Sequence, residues 1–432
     1  MERLLISGGH IIDPASGYNA PGELLIEGGR IAWLGQGRPP QEPDAVLQAA
    51  GLVVAPGLMD LHCHLREPGY EEKETIATAT RAAARGGFTT VCAMPNTNPP
   101  ADSAAVIQFV KAKAGAEGAV RVLPVGCITR GRQGQELAEM AEMSAAGAVA
   151  FSDDGSPVAD ARLMRHALEY SLSFGLPIME HAEDTALSRE GAMHEGEVSL
   201  RLGLRGIPAA AEEAAVARDI ALVRLTGARL HLCHLSTAGA VEMVRRAKEQ
   251  GLPVTCEVTP HHLTLTHERV AFPIPYDTNA KVNPPLRTRK DVDALIQGLR
   301  DGVIDAIATD HAPHTVVDKM VEFDDAPSGI SGLETALGAL LALVHRGEID
   351  LITLLARLTT GPARVIGHPL GSLAVGSSAD VVLFDPQREW VVDPAAFASK
   401  GKNTPLAGVT LRGKVMATLV QGALAYRDEA VK

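Results

Sequence analysis

The chain repeats one pattern eight times, in which a short segment that is apolar throughout is followed by a longer amphipathic segment. Apolar segments of this length are typical of strands that are buried on both faces of a parallel sheet. Several of the amphipathic segments end at a glycine, which is a common helix terminator. Eight alternations of strand and helix over about 250 residues predict a TIM-like (β/α)8 barrel. The predicted strands cover residues 53–65, 89–96, 120–129, 148–155, 177–184, 228–237, 253–260 and 304–313.

The two ends of the chain have a different pattern, with short strands and tight turns. The N-terminal end contains LLISGGHIID and RIAWLG, with Gly28-Gly29 placed for a hairpin, and short strands such as ADVVLFDP return near the C-terminus. Because neither end is large enough to bury a sheet face alone, we expect both to form one small β-sandwich domain. The predicted domains are residues 1–52 and 367–432 for the two parts of this β domain, and residues 53–366 for the barrel.

Composition excludes nucleic acid as a partner. The chain has 40 Lys and Arg against 52 Asp and Glu, a net charge of -12, and only 3% aromatic residues. A nucleic-acid binder needs a basic surface and aromatic side chains on which bases stack. Hydrophobic residues make up 46% of the chain, which is enough for a large buried core.

Cysteines and apolar segments indicate the compartment. The chain has five cysteines, an odd number without a CxxC pair, and all lie in apolar segments, as buried reduced thiols do. The N-terminus reaches a charge and a glycine pair before it builds the apolar region of a signal peptide, and no segment has about 18 consecutive apolar residues. We therefore expect a cytoplasmic protein without a membrane partner.

Polar residues end five of the eight predicted strands, at the end of the barrel where such folds carry their chemistry. The first strand ends in His62-Cys63-His64, and alternation along a strand places the two imidazoles on the same face. A single histidine at a strand end usually has a structural role, but five strands that each supply a ligand-type residue predict a site for one or two divalent metals, zinc first. The other four strands end in Asp153-Asp154, His181, His234 and Asp310.

A site for two metals needs an anion between them, and the fourth strand offers Asp153 and Asp154. Adjacent residues of a strand point to opposite faces, so only one of the two carboxylates faces the metals. The residue pattern alone does not choose between them. We expect the other carboxylate to bind a loop or a backbone amide at the strand end.

The sequence resembles the amidohydrolase superfamily and, within it, the long-chain bacterial dihydroorotases. The resemblance extends over almost the whole chain, including both β ends. HLREPG and NPPLR are specific to the narrower group, whereas the HxH pair is shared by the whole superfamily. The segments that carry the resemblance are MDLHCHLREPG (59–69), MPNT (94–97), FSDDG (151–155), EH (180–181), HLS (234–236), EVTPHH (257–262), VNPPLR (282–287) and ATDHAPH (308–314).

This resemblance implies a role for each candidate residue. The family's spacing before His181 assigns the bridging position to Asp154, and Arg66 offers a planar fork for a substrate carboxylate. Where the family usually has an aromatic residue before the glycine of the loop after strand eight, this chain has Ser328. The implied zinc ligands are His62, His64 and Asp310 for one ion, His181 and His234 for the second, and Asp154 between them. The implied substrate-binding residues are His64, Arg66, Asn96, Asn283, His314 and Gly329.

The implied reaction is the interconversion of (S)-dihydroorotate and N-carbamoyl-L-aspartate in pyrimidine (UMP) biosynthesis. A water between two zinc ions loses its proton near neutral pH, and the resulting hydroxide is expected to attack the ring carbonyl. Asp310 is expected to act as the general acid and base that passes the proton to the ring nitrogen. The net charge of -12 repels an acidic substrate at long range, so its binding needs local positive charge.

Two alternative functions are less consistent with the residues. Related hydantoinases and allantoinases bridge their metals with a carbamylated lysine and have no arginine after HxH, but strand four here has no lysine and Arg66 is present. A silent subunit that supports aspartate carbamoyltransferase typically lacks some metal ligands, and this chain has all six. The resemblance further implies a homodimer and, in some members, a complex with aspartate carbamoyltransferase. No role is assigned to His261-His262.

Overall fold

A computed structural model describes residues 3–430. In this range the strands are β1 (Arg3–Asp13), β2 (Tyr18–Glu27), β3 (Arg30–Gly35), β4 (Ala45–Gln48), β5 (Val53–Pro56), β6 (Leu58–Cys63), β7 (Phe88–Ala93), β8 (Arg121–Gly126), β9 (Ala150–Phe151), β10 (Ile178–Glu180), β11 (Met193–His194), β12 (Gly206–Ile207), β13 (Leu230–Leu232), β14 (Val254–Val258), β15 (Ala306–Ile307), β16 (Val381–Val391), β17 (Thr410–Val420) and β18 (Ala423–Arg427). The α-helices are α1 (Ile76–Arg85), α2 (Ala104–Glu117), α3 (Met140–Ala146), α4 (Ala161–Ser171), α5 (Thr185–Ser188), α6 (Glu197–Leu202), α7 (Ala209–Thr226), α8 (Ala238–Glu249), α9 (Pro260–Thr264), α10 (Arg289–Arg300), α11 (Val316–Lys319), α12 (Ala336–His345), α13 (Leu351–Leu358) and α14 (Thr360–Ile366).

Eight of the strands form a parallel barrel, in the order β6, β7, β8, β9, β10, β13, β14 and β15. A bridge between Cys63 and His311 joins the end of the first strand to the segment after the last, where the His64 N–H donates to the His311 carbonyl at 2.9 Å. All six side chains of β6 and all six of β7 are buried, as expected for strands covered on both faces. The predicted barrel is confirmed.

Side-chain caps fix the beginnings of several barrel helices. The Thr75 hydroxyl accepts the Thr78 N–H before α1, and the Thr288 hydroxyl accepts the Asp291 N–H before α10. The first N–H groups of a helix have no partner within the helix, so a threonine at this position stabilises it by about 1 kcal/mol. Each helix therefore begins at a set distance after its strand, which leaves the strand ends free to carry functional side chains.

Strands from the two chain ends form a second, separate sheet of eight strands. Its order is β18, β17, β16, β5, β1, β2 and β3, with β4 paired to β1. The N-terminal β5 pairs antiparallel with the C-terminal β16, so the two ends meet in the middle of the sheet. Its aliphatic core contains Ile11 and Ile26 from one end and Leu383 and Leu419 from the other. The expectation that both chain ends build one β unit is confirmed.

The segment predicted as one strand over residues 53–65 is two strands. Residues 53–56 form β5 in the chain-end sheet, and residues 58–63 form β6 in the barrel, with Gly57 between them. The apolar pattern does not reveal this change of sheet, because both strands are buried. We propose that the barrel begins at Gly57; the division of the chain into domains stays a prediction.

The cysteines have the environment that their apolar surroundings predict. All five are buried thiols, and the part of the chain that the structure describes contains no disulfide. Between residues 3 and 430, every helix is too short or too polar to cross a membrane. The cytoplasmic location stays a prediction.

Candidate active site

The six residues predicted to bind metal lie together at the C-terminal ends of barrel strands. His62 is in β6 and His64 follows it, whereas the other four come after β9, β10, β13 and β15. These strand ends meet at one rim of the barrel, so residues that are far apart in the chain become neighbours. Between 0% and 8% of each residue is exposed: His62, His64, Asp154, His181, His234 and Asp310.

Asp154 faces all four histidines. Its Oδ1 atom lies 3.3 Å from the Nε2 atoms of both His62 and His234, and 3.6 Å from His181 Nδ1. Its Oδ2 atom lies 3.5 Å from His64 Nε2. A carboxylate whose two oxygens both point into the histidine cluster is placed to contact more than one metal.

Asp153 points away from the histidines. Its carboxylate accepts the N–H of Ile128 at 2.8 Å and the N–H of Thr129 at 3.1 Å, together with the Thr129 hydroxyl. It thus fixes the segment that leaves β8. Of the two adjacent aspartates, Asp154 alone is placed to contact a metal.

Asp310 completes a second group with the first two histidines. Its Oδ1 atom lies 3.1 Å from His64 Nε2 and 3.7 Å from His62 Nε2. The ligand atoms of His62, His64 and Asp310 lie within 4.8 Å of one another, and so do those of His62, Asp154 and His234. The two groups overlap at His62, so the cluster offers adjacent positions for metal.

Carboxylates orient two of the histidines from behind. Glu257 is fully buried in β14 and bonds His62 Nδ1 at 3.1 Å, while its other oxygen bonds His231 Nε2 at 3.1 Å. Glu183 bonds His181 Nε2 at 2.8 Å. Each contact fixes the ring and directs its second nitrogen into the cluster, as carboxylates behind metal-binding histidines do.

Two predicted substrate-binding residues also support the cluster. Asn96 Oδ1 lies 2.8 Å from His64 Nδ1, so His64 Nε2 points towards the carboxylates. The Asn283 side-chain amide donates to Glu183 at 3.0 Å and lies 3.3 Å from His181 Nε2. Asn96 thus contacts one candidate ligand, Asn283 contacts a candidate ligand and its supporting carboxylate, and both asparagines line the open side of the site.

The residues present fit a divalent cation. His62 Nε2 is buried and makes no hydrogen bond, although Asp154 lies 3.3 Å away. Burial opposes the charged forms, yet His62 and the other histidines hold the pKa of Asp154 well below its usual range, and Asp154 and Glu183 raise the pKa of His181 to about 10. The carboxylates thus require positive charge beside them. A divalent cation supplies that charge and accepts the lone pair of His62 Nε2.

Three residues of the site have an unusual backbone conformation. Arg66, His234 and Asp310 have φ angles of 63°, 35° and 46°. Positive φ is uncommon for residues other than glycine, and it clusters at functional sites, where the surrounding structure imposes it. The backbone thus turns sharply where these side chains enter the site.

A cleft of about 700 Å3, open to solvent, lies over the cluster. All six predicted substrate-binding residues line this cleft, and His64 is one of them. Four further candidate metal ligands line it as well: Asp154, His181, His234 and Asp310. The cleft thus combines a metal-ligand floor with walls made of a guanidinium, amides and imidazoles. Its lining includes Arg66, Asn96, Asn283, His314, Ser328 and Gly329.

Arg66 and His314 form the polar part of one wall. Arg66 Nε donates to the Pro313 carbonyl at 3.3 Å, which fixes the side chain, and one terminal nitrogen lies 3.5 Å from His314 Nε2. Burial and the Arg66 charge lower the pKa of His314 to about 3, so its ring is neutral at neutral pH. His314 Nε2 then donates to the Ser328 carbonyl at 2.9 Å. A positive charge therefore faces the cleft beside a neutral imidazole.

Gly329 forms the adjoining part of this wall. Its φ is 143°, and a Cβ atom there would lie 2.6 Å from the Ala312 side chain, so only glycine fits. The Gly329 N–H donates to the Lys281 carbonyl at 2.9 Å. Two buried ammonium groups donate to backbone carbonyls of the loop that leads to Gly329. Lys281 donates to the Phe323 and Asp324 carbonyls, and Lys319 donates to the Pro327 carbonyl at 2.7 Å.

Comparison with known proteins identifies the family. A family model described as Dihydro-orotase-like matches residues 51–240. The protein named dihydroorotase from Pelotomaculum thermopropionicum is 53% identical over 431 residues, which cover 100% of both chains. The dihydroorotase of Anaeromyxobacter dehalogenans is 54% identical over 426 residues, 98% of each chain. The chain belongs to the dihydroorotase family. It is an enzyme, a hydrolase of cyclic amides.

Solved structures of other cyclic amidases share the fold of this dihydroorotase-family chain. L-hydantoinase from Arthrobacter aurescens superposes with a TM-score of 0.89 at 26% identity, over 100% of this chain and 98% of that one. Dihydropyrimidinase from Brevibacillus agri gives a TM-score of 0.86 at 25% identity, over 99% and 95%. The barrel with its chain-end sheet is thus common to enzymes whose names differ.

Sequence reasoning missed the residues that support the ligands of this dihydroorotase-family site. Glu257 and Glu183 received no role, although a carboxylate within a buried strand requires a charged or hydrogen-bonding partner. The sequence alone could have indicated a partner for Glu257, because this carboxylate is the fourth residue of the buried strand β14. His231 is buried against Glu257. A third ligand-type group joins His62 and Glu257 with Cys233, but burial raises the pKa of that thiol and keeps it protonated.

Proposed function

We propose that the enzyme interconverts (S)-dihydroorotate and N-carbamoyl-L-aspartate in pyrimidine biosynthesis. The observation that carries this proposal is Arg66, whose charge faces the same cleft as the ligand cluster. A cyclic amide with a carboxylate fits both features, because the cluster acts on the amide and the guanidinium binds the carboxylate. The named relatives at 53% and 54% identity support the same substrate.

We further propose that the cluster binds zinc, as one or two ions. Four imidazole nitrogens and two carboxylates are a donor set that zinc favours. His62, His64 and Asp310 would bind one ion, His181 and His234 the other, and Asp154 would contact both. Bound zinc lowers the pKa of water and polarises a carbonyl group.

Asp310 is the proposed general acid and base. Its carboxylate is buried, but contacts with His64 and His62 hold its pKa below the usual range, so it is ionised at neutral pH. In the hydrolytic direction Asp310 accepts a proton from the attacking water, whose oxygen bonds to the ring carbonyl carbon. The C–N bond then breaks, and Asp310 delivers the proton to the departing nitrogen. The biosynthetic direction reverses these steps.

The walls of the cleft orient the substrate. Arg66 offers two parallel N–H groups to a carboxylate, an arrangement that fixes orientation as well as charge. Asn96 and His314 border the same space, and Asn283 lies where it can bond a ring amide. Position 329 carries no side chain, because a Cβ atom there would collide with Ala312, so the backbone itself forms this part of the wall.

The test combines metal content with turnover. Elemental analysis of the purified protein should find one or two zinc ions per chain, and loss of dihydroorotate absorbance in the ultraviolet should report ring opening. Zinc without turnover of dihydroorotate, but with turnover of hydantoins, would overturn the substrate assignment. Adding aspartate carbamoyltransferase tests the predicted complex with that enzyme, and sedimentation tests the predicted homodimer.

A further inference from the structure

The connection between β16 and β17 extends to the mouth of the barrel. Its central segment, residues 398–403, is bound to the barrel by two acidic side chains. Glu334 accepts the N–H of Ala398 at 3.1 Å and of Ser399 at 3.2 Å, and Glu74 accepts the Ser399 hydroxyl. One loop of the chain-end sheet thus extends to the substrate cleft.

Asn403, at the end of this segment, uses its full hydrogen-bonding capacity on the cleft wall. Its Oδ1 atom accepts the His314 N–H at 2.9 Å and the Ser331 hydroxyl at 2.8 Å. Its amide nitrogen donates to the carbonyls of Ala312 at 3.0 Å and Gly329 at 2.9 Å. Only 3% of Asn403 is exposed, so no water replaces these partners if the side chain changes.

The four partners belong to two segments that face each other across the wall. Ala312 and His314 lie after β15, while Gly329 and Ser331 lie at the end of the next loop. The segments are joined directly where the Ala312 N–H donates to the Ile330 carbonyl at 2.9 Å, and the Asn403 side chain bonds both of them on either side of that contact. The approach is close, because a Cβ atom at Gly401 would lie 2.4 Å from both Pro313 and Ser331 side-chain atoms.

We propose that Asn403 is a positioning residue for substrate binding, which sets the distance between the His314 segment and the Gly329 segment. The inference rests on the proposed function, since these two segments are taken to contact the substrate. Asn403 does not line the cleft, so it acts through the backbone of residues that do. Loss of its bonds should therefore weaken substrate binding more than the chemical step.

The first test is Asn403→Asp, which keeps the size of the side chain and places an oxygen where the amide donates. The carbonyl oxygens of Ala312 and Gly329 then face a carboxylate oxygen instead of an N–H donor, and the His314 and Gly329 segments move apart. We expect KM for dihydroorotate to rise about tenfold, which corresponds to about 1.4 kcal/mol, with kcat changed less than about threefold and zinc content unchanged. Asn403→Ser is the second variant, in case the aspartate prevents folding.

Thr404→Val is the matched control. Thr404 is the next residue and is 2% exposed, but its hydroxyl accepts the Leu406 N–H within the same loop instead of bonding the cleft wall. This variant should lower stability without raising KM. An equal rise of KM in the Thr404 and Asn403 variants, or an unchanged KM in both Asn403 variants, would overturn the positioning role.

Amide hydrogen exchange tests the inference without turnover. Peptides that cover residues 312–314 and 328–331 should exchange faster in Asn403→Asp than in the wild type or in Thr404→Val. If wild-type protein fails to open dihydroorotate, the proposed function fails, while faster exchange still shows that Asn403 positions the wall. Unchanged exchange in the Asn403 variants would refute that role whatever the substrate is.

Discussion

The floor and the wall of the cleft are built in opposite ways. The floor consists of histidines and aspartates at strand ends, supported from behind by the carboxylates Glu257 and Glu183. The wall consists of loops around Gly329, supported by the ammonium groups of Lys281 and Lys319 and by the Asn403 amide. Negative groups thus support the floor, and positive or neutral groups support the wall.

This difference matches two tasks. Carboxylates behind the imidazoles make them better ligands for a cation, whereas cations behind the wall favour an anionic substrate. In a chain with a net charge of -12, the wall provides the local positive charge that an acidic substrate needs. The floor should therefore respond to mutation mainly through metal binding and kcat, and the wall through KM and stability.

Asp154→Ala should have the largest effect, because it removes the carboxylate that faces all four histidines. We expect a loss of about one equivalent of zinc and a decrease in kcat of about a thousandfold, which corresponds to about 4 kcal/mol. Elemental analysis and the ultraviolet assay measure both.

Asp153→Asn is the control for Asp154→Ala, since Asp153 bonds the loop after β8 instead of the cluster. It should destabilise the fold and leave the zinc content unchanged. If Asp154→Ala keeps its zinc and Asp153→Asn loses it, the bridging assignment belongs to Asp153.

Glu257→Gln should weaken the floor without removing a ligand. The amide keeps an oxygen near His62 Nδ1 but loses the charge that makes the imidazole a stronger donor, so zinc affinity should fall about 10- to 100-fold. Competition with a chelator measures this affinity. Glu212→Gln is the control, because Glu212 is buried and accepts backbone N–H groups of Ser236 and Thr237 but contacts no candidate ligand. An equal loss in both variants would mean that general destabilisation is the cause.

The sequence predicts the floor better than the wall, for a physical reason. Strand alternation and the position of polar residues at strand ends place His62 beside His64 and bring Asp154 to the same rim. Asn403 lies 89 residues after its partner His314, in a loop without periodicity, so no local pattern connects them. The segment predicted as the first barrel strand, residues 53–65, shows the same limit. Its apolar pattern does not reveal that residues 53–56 pair with the distant strand β16.

Arg66→Lys should affect the wall alone. A lysine keeps the charge but lacks the planar pair of donors, so KM for dihydroorotate should rise about tenfold while zinc content stays constant. Arg130→Lys is the control, because Arg130 is largely exposed and lies outside the cleft. Loss of zinc in Arg66→Lys, or an unchanged KM, would contradict the assignment of Arg66 to the substrate carboxylate.

The last prediction concerns stability instead of turnover, and it is a pH dependence of unfolding that comes from Lys319. Burial and the nearby Lys281 cation lower the pKa of Lys319 from 10.5 to about 7. Between pH 7 and 10 the unfolded chain therefore binds more protons at this residue than the folded one, so its contribution to stability rises with pH and is lost as the pH falls towards 7.

Urea unfolding of the wild type and of Lys319→Met measures this contribution. The difference in the free energy of unfolding, wild type minus variant, should rise with pH by at most about 1.4 kcal/mol per unit between pH 7 and 10. Lys290 on α10 is exposed, so Lys290→Met should show a difference that does not vary with pH. A flat difference for Lys319→Met as well would mean that the fold does not depress the pKa of Lys319, so that this ammonium stays charged in the wall up to about pH 10.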